Sequence, residues 1–152
     1  MYINRKIKSL IICFLFFTLT KLVYSETSSL IPREVLFGNP EKTSPQISPD
    51  GKFLSYLAPD KKNVLNVWVK TIGKDNDRMV TQDKKRGIRT YFWAIDNIHI
   101  IYLQDSDGDE NFHIYSTDLK TDITRDLTPY LGIKAEVIAT DNNFPNEILV
   151  GL

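Results

Sequence analysis

Four carboxylates crowd one short stretch of the 152-residue chain, Asp105-Ser-Asp-Gly-Asp-Glu110, and two histidines, His99 and His113, flank it. Spaced carboxylates suit a hard cation, but the spacing is wrong for a calcium loop. Counting from Asp105, Gly108 stands fourth rather than sixth, and Ser116 occupies the twelfth place, where glutamate is needed. No metal site is expected. Serine-based acyl transfer would need a Gly-x-Ser-x-Gly turn, yet none of the seven glycines is followed two residues on by serine. His99 and His113 fall inside apolar, β-branched runs, which makes them strand residues rather than a general base. No catalytic residue and no cofactor are therefore expected. The basic group Lys84-Lys85-Arg86, with Arg89, has the composition of a solvated connection. Trp68 and Trp93 lie in strand-like runs, where packing is the commoner role than a ligand platform.

These residues must be positioned by strands. His99-Ile-Ile-Tyr-Leu-Gln104 and Asn111-Phe-His-Ile-Tyr115 are rich in β-branched and aromatic residues, and the acidic stretch between them, with Gly108, supplies the reversal. A hairpin is predicted. An earlier copy runs through Phe53–Ala58, a polar turn from Pro59 to Asn63, and Leu65–Thr71. Tyr56, Tyr102 and Ile148 are spaced by 46 residues. A period in the forties made of short strands is the sequence signature of a β-propeller blade. The expected fold is all-β, a partial β-propeller of about two and a half four-stranded blades. Blade 1 is placed at about 45–81, blade 2 at about 89–128, and the start of blade 3 at about 134–152. Inner strands are expected at Gln46–Ser48 and Arg89–Ala94, and outer ones at Arg78–Thr81 and Arg125–Thr128. Turns follow the inner strands at Pro49-Asp50-Gly51 and Asp96-Asn97. The third copy stops within its second strand, so one blade face is expected to lack a cover.

Residues 1–25 have a different purpose. Arg5, Lys6 and Lys8 precede an apolar run from Leu10 to Leu19, and Val23-Tyr-Ser25 offers small residues at the positions a signal peptidase reads. Cleavage after Ser25 is expected, leaving no stable membrane insertion, because Lys21 interrupts the apolar run well short of a bilayer span. The protein should be exported, to a periplasm or the exterior. Four of the 19 basic residues and none of the 19 acidic ones lie in the signal, so the remainder carries about −4. A nucleic-acid partner is not expected on that balance. The lone cysteine, Cys13, leaves with the signal, so no disulfide is available. Residues 26–44 form an irregular lead-in whose Val35, Leu36 and Phe37 suit a short docking helix.

Ser44-Pro-Gln-Ile-Ser-Pro-Asp-Gly-Lys52 resembles the repeat of many propellers, TolB-like ones included. More specific motifs come in one order: Ile31-Pro-Arg-Glu34, Leu36-Phe-Gly-Asn-Pro40, Asn66-Val-Trp-Val69, Arg86-Gly-Ile-Arg89 and Asp107-Gly-Asp-Glu-Asn111. Together they resemble the amino-terminal propeller of exported serine peptidases of the prolyl oligopeptidase family, in the acylaminoacyl-peptidase or dipeptidyl-aminopeptidase branch. The resemblance covers about residues 31–152. It implies a lid that gates peptide substrates to an α/β-hydrolase domain absent from this chain, which alone should be inactive. By analogy with family branches that capture a substrate's amino terminus with propeller acids, Asp109 and Glu110 are the candidate substrate-binding residues. Alternatives are a TolB-like periplasmic propeller that binds proteins without chemistry, or a non-functional gene fragment.

Overall fold

The computed structural model describes residues 30–152, so the expected signal and Cys13 lie outside the described residues. No helix among those described is long and apolar enough to cross a membrane. The chain divides into a segment ending at Leu36 and a compact unit from Phe37 to Leu152. Across that division in the sequence lies α1 (Arg33–Phe37), a single turn whose Val35, Leu36 and Phe37 are exposed.

Strands build the compact unit. β1 (Thr43–Ile47), β2 (Phe53–Pro59), β3 (Leu65–Thr71) and β4 (Arg78–Met79) form one antiparallel meander in chain order. β5 (Thr90–Trp93), β6 (His99–Gln104), β7 (His113–Asp118) and β8 (Thr124–Asp126) repeat it, and β9 (Glu136–Ala139) pairs with β10 (Leu149–Gly151) in a third, two-stranded sheet. The sheets do not close on one another, which makes the fold a partial propeller.

Local chemistry sets the turns. At Pro49-Asp50-Gly51 the Ser48 hydroxyl donates to Asp50 Oδ1 at 2.7 Å, that oxygen accepts the Lys52 N–H, and Gly51 takes φ +72°. At Asp96-Asn97 the Asp96 Oδ1 accepts the N–H groups of Ile98 and His99, and Asn97 takes φ +62°. The two turns then meet across the sheets, the Asp50 N–H donating to Asn97 Oδ1 at 2.6 Å. β1 begins earlier than the sequence suggests, at Thr43, with an irregular register between Thr43 and Gln46 where Pro45 has no N–H to give. β4 is shorter than Arg78–Thr81. Val80 continues the pairing through its N–H to Val67 O, but Thr81 turns inward and offers its side-chain oxygen to the Val67 N–H.

That Thr81 contact recurs. Thr128 Oγ1 accepts the Ile114 N–H at 3.0 Å, and every such landmark in the outer half of the second sheet sits 47 residues after its counterpart. In the inner half the step is 46, as in the bonds from Ser48 N to Phe53 O and from Ala94 N to His99 O. The extra residue lies between β6 and β7. The acidic turn is therefore the one place where the second copy is longer than the first.

Alternation along β6 assigns its faces. Ile100 and Tyr102 join Leu57, Val67, Val69, Val80, Ile88, Tyr91 and Trp93 in a core between the first and second sheets. Ile101, with Leu103 and Phe92, faces the other way, onto Ala135, just ahead of β9, and onto Val137 and Val150 of the third. The inner strands β1 and β5 are joined by Gln46 Nε2 donating to Tyr91 O at 2.8 Å and Tyr91 Oη donating to Ser44 O at 2.6 Å.

Candidate functional site

In a meander every second connection falls on the same end of the sheets. The β4–β5 connection and the β6–β7 turn share an end, and they carry opposite charge. The connection is held first by Asn66, buried in β3, whose amide oxygen accepts the Thr81 hydroxyl at 2.9 Å and the Asp83 N–H at 2.8 Å. The Asp83 carboxylate then accepts the Gly87 N–H. Gly87 has φ +77°, and a Cβ there would stand 3.1 Å from the backbone nitrogen of Leu65, so no larger residue fits without strain. Ile88 follows as a fully buried plug, its N–H donating to Leu65 O. With Gly87 and Ile88 pinned inside, Arg86 and Arg89 stand on either side of them at the surface.

The acidic turn is largely self-satisfied. Asp105 is buried, and its carboxylate accepts the Glu110 N–H at 3.4 Å and lies 3.5 Å from Arg86 Nη2. Asp107 pairs with Lys85 Nζ at 2.7 Å. Asp109 caps the turn, accepting the N–H groups of Ser106 and Asn111 and the Asn111 amide. Bonds from Asn111, the backbone N–H foremost, hold its carboxyl below the usual carboxylate range. Glu110 sits at φ +60° with its side chain exposed, and among the described residues its carboxylate pairs with no cation. So the two acids singled out in the sequence are adjacent but unequal: Asp109 is spent on the turn, and Glu110 is available.

The basic cluster does connect two sheets, but it is not merely solvated. Arg86 packs on the turn, its Nη1 only 2.7 Å from where a Cβ on Gly108 would be; that mobile side-chain end could give way, so it is φ +92° that favours glycine there. Beside it opens a cavity of about 270 Å³ lined by Arg86, Arg89, Thr90, Gln104, Asp105 and Phe112. Sequence reasoning missed this meeting of basic connection and acidic turn. Counting connections, odd ones to one end and even ones to the other, is the signal that could have found it.

The remaining candidates are structural. His99 Nδ1 meets Asp96 Oδ2 at 2.6 Å and His113 Nδ1 meets Asp126 Oδ2 at 2.7 Å, each imidazole opening a strand. Among the described residues neither ring's other nitrogen meets a serine or threonine hydroxyl. Trp93 is buried, donates Nε1 to Ser55 Oγ at 2.8 Å and stacks on Phe53; Trp68 donates to Ala58 O. Among the described residues no three His, Cys, Asp or Glu side chains are grouped closely enough to hold a metal ion.

No protein-family model matches the chain. In sequence it is similar to dipeptidyl aminopeptidase BIII of Pseudoxanthomonas mexicana, 48% identical over 126 residues that make up 82% of this chain and 18% of that protein. It is also similar to dipeptidyl peptidase family member 6 of Caenorhabditis elegans, 32% identical over 140 residues, 88% of this chain and 19% of that one. The chain thus spans about a fifth of the length of the curated relatives it matches. Among solved structures it is similar to TolB from Acinetobacter baumannii, with TM-score 0.50 and 22% identity over 63% of this chain and 23% of that one. An acylaminoacyl peptidase in complex with Z-Gly-Gly-Phe-chloromethyl ketone gives TM-score 0.50 and 16% identity over 74% of this chain and 21% of that one. At these identities the structural likenesses speak to the fold alone.

Proposed function

For a chain that is a β-propeller part of the prolyl oligopeptidase family of serine peptidases, we propose the role of gating peptide access to a catalytic domain that is not among its own 152 residues. The observation that carries this reading is the 48% identity to a dipeptidyl aminopeptidase, spread over 82% of the chain rather than confined to one motif. In that role the loops at one end of the sheets line the route a substrate takes. Glu110, exposed and without a cationic partner among the described residues, is the acid we assign to a peptide's amino terminus; Asp109 orients it by fixing the turn. Export through the segment at 1–25 belongs to the same proposal, with the mature protein starting at Glu26.

A second reading, a protein-binding propeller of the TolB kind, is compatible with the same fold. A graft separates the two. The matching stretch of the Pseudoxanthomonas enzyme is replaced by residues of this chain, and turnover of dipeptidyl reporters is compared with that of longer peptides. The gating reading expects a folded, active graft that favours short substrates, and a relaxed size preference when residues 105–110 are trimmed. A folded graft whose size preference ignores that trimming would sink the gate. The full chain alone should hydrolyse neither substrate, since it has no Gly-x-Ser-x-Gly turn.

A further inference from the structure

We propose that the cavity of about 270 Å³ between the β4–β5 connection and the acidic turn is a carboxylate-binding site, with Arg89 as its cation. The inference goes beyond gating and needs no catalytic domain.

The charges in the cavity wall are not equivalent. Arg86 is already engaged, facing the buried Asp105 carboxylate at 3.5 Å and seated on Gly108. Those two charges offset one another. Asp107 is likewise matched by Lys85 at 2.7 Å. Arg89 differs: it is exposed, lines the cavity, and pairs with no carboxylate among the described residues. Its backbone is not free to wander, because the residue before it, Ile88, is fully buried and bonded to Leu65 O, and the residue after it, Thr90, opens β5 opposite Leu103. The fixed backbone sets where the side chain starts from, and the guanidinium fork matches a planar two-oxygen acceptor.

Its neighbours fit the same ligand. Thr90 and Gln104 bring a hydroxyl and an amide, both able to donate to a carboxylate oxygen that the guanidinium leaves unfilled. Leu103 and Phe112 form the apolar part of the lining, which suits the methylene or peptide portion next to the charge. A bare inorganic anion would leave that wall unused. The ligand is therefore a peptide carboxylate, either an acidic side chain or a free chain terminus.

The test uses the full chain and three soluble probes: acetyl-Ala-Ala-Glu-amide, acetyl-Ala-Ala-Ala with a free carboxyl, and acetyl-Ala-Ala-Gln-amide. Binding is followed by calorimetry and by NMR shifts of the Thr90 and Gln104 amides. At least one acid probe should bind roughly tenfold or more tightly than the neutral one, and which acid binds tells side chain from terminus. Arg89→Gln should remove that preference, Arg89→Lys should restore part of it, and Lys84→Gln, outside the cavity lining, should leave it intact. Circular dichroism of each variant shows that the sheets persist. Equal binding of acid and neutral probes overturns the site, as does no saturable acid binding, or an acid preference that survives Arg89→Gln. None of these outcomes depends on the graft, so the site and the gate fail separately.

Discussion

Ile100 and Ile101 are neighbours in β6, both almost fully buried, and they serve two different joints. The face carrying Ile100 meets the first sheet across nine buried hydrophobic residues, and polar bonds rivet the same seam: Trp93 to Ser55, Gln46 to Tyr91 O, Asp50 to Asn97, and Arg78 to Asp122. The face carrying Ile101 meets the two-stranded third sheet with three buried residues, and its other contributors are only partly covered. Ile138 and Leu149 on that third sheet remain exposed. A blade joint is thus built in two layers, apolar area for affinity and polar bonds, buried at Trp93 and exposed at the rim, for alignment, and the second joint has little beyond the first layer.

The largest test of that contrast is truncation. Ile100→Ala should cost about 3 kcal/mol in denaturant unfolding of the full chain, whereas Val150→Ala in the thinner joint should cost about 1 kcal/mol. Native-state hydrogen exchange should agree, with β9 and β10 amides exchanging well before those of β3 and β6. Equal costs would mean that the two joints are energetically alike.

Next in size, Gly87→Ala should destabilise by about 2 kcal/mol, because the new Cβ presses on the Leu65 backbone at a positive φ. Gly51→Ala meets the φ penalty with open space around it and should cost about 1 kcal/mol. Thermal melting of both variants decides whether close approach, not φ alone, fixes the connection.

Alkali should loosen the first joint selectively. Burial pushes the Tyr102 hydroxyl up to about 12. A raised folded value means the contribution is fully present below the unfolded pKa of about 10 and is lost as pH climbs from there to about 12. The loss should be on the order of 2 kcal/mol, and Tyr102→Phe should remove that share while leaving the smaller one of Tyr91, whose hydroxyl burial also pushes up.

The smallest effects concern the repeated threonines. Thr81→Ala should cost about 1.5 kcal/mol and Thr128→Ala about 1 kcal/mol, since Thr81 also donates to buried Asn66 while both accept a strand N–H. Identical costs would show that the Asn66 bond adds nothing.

Much of this was legible in the sequence. β3 and β6 fall where clustered β-branched and aromatic residues put them, and Asp50-Gly51 and Asp96-Asn97 turn the chain as their side chains dictate. What escaped is long-range. Strand ends such as Thr81 depend on a hydroxyl reaching a backbone N–H fourteen residues earlier, which composition does not register. The pairing of Lys85 and Arg86 with the acidic turn depends on which end of a sheet each connection reaches, a property of topology rather than of either segment. The single period of 46 also concealed the longer β6–β7 turn: Tyr56 and Tyr102 both precede it, and the second 46-residue interval, which crosses it, ends at Ile148, just ahead of β10.

The 47-residue step has a further consequence, at the level of the gene. Ile88 bonds to Leu65 O and Ala135 to Phe112 O, so each sheet is finished by a residue encoded in the passage to its successor. The stretch that repeats and the body that packs are therefore out of phase. An unequal crossover adding or removing one such step would carry a complete set of joints, whereas an exchange of a sheet's strands without the connection after them would orphan one. On this account propeller arrays of this kind can lengthen by recombination without waiting for a boundary to evolve.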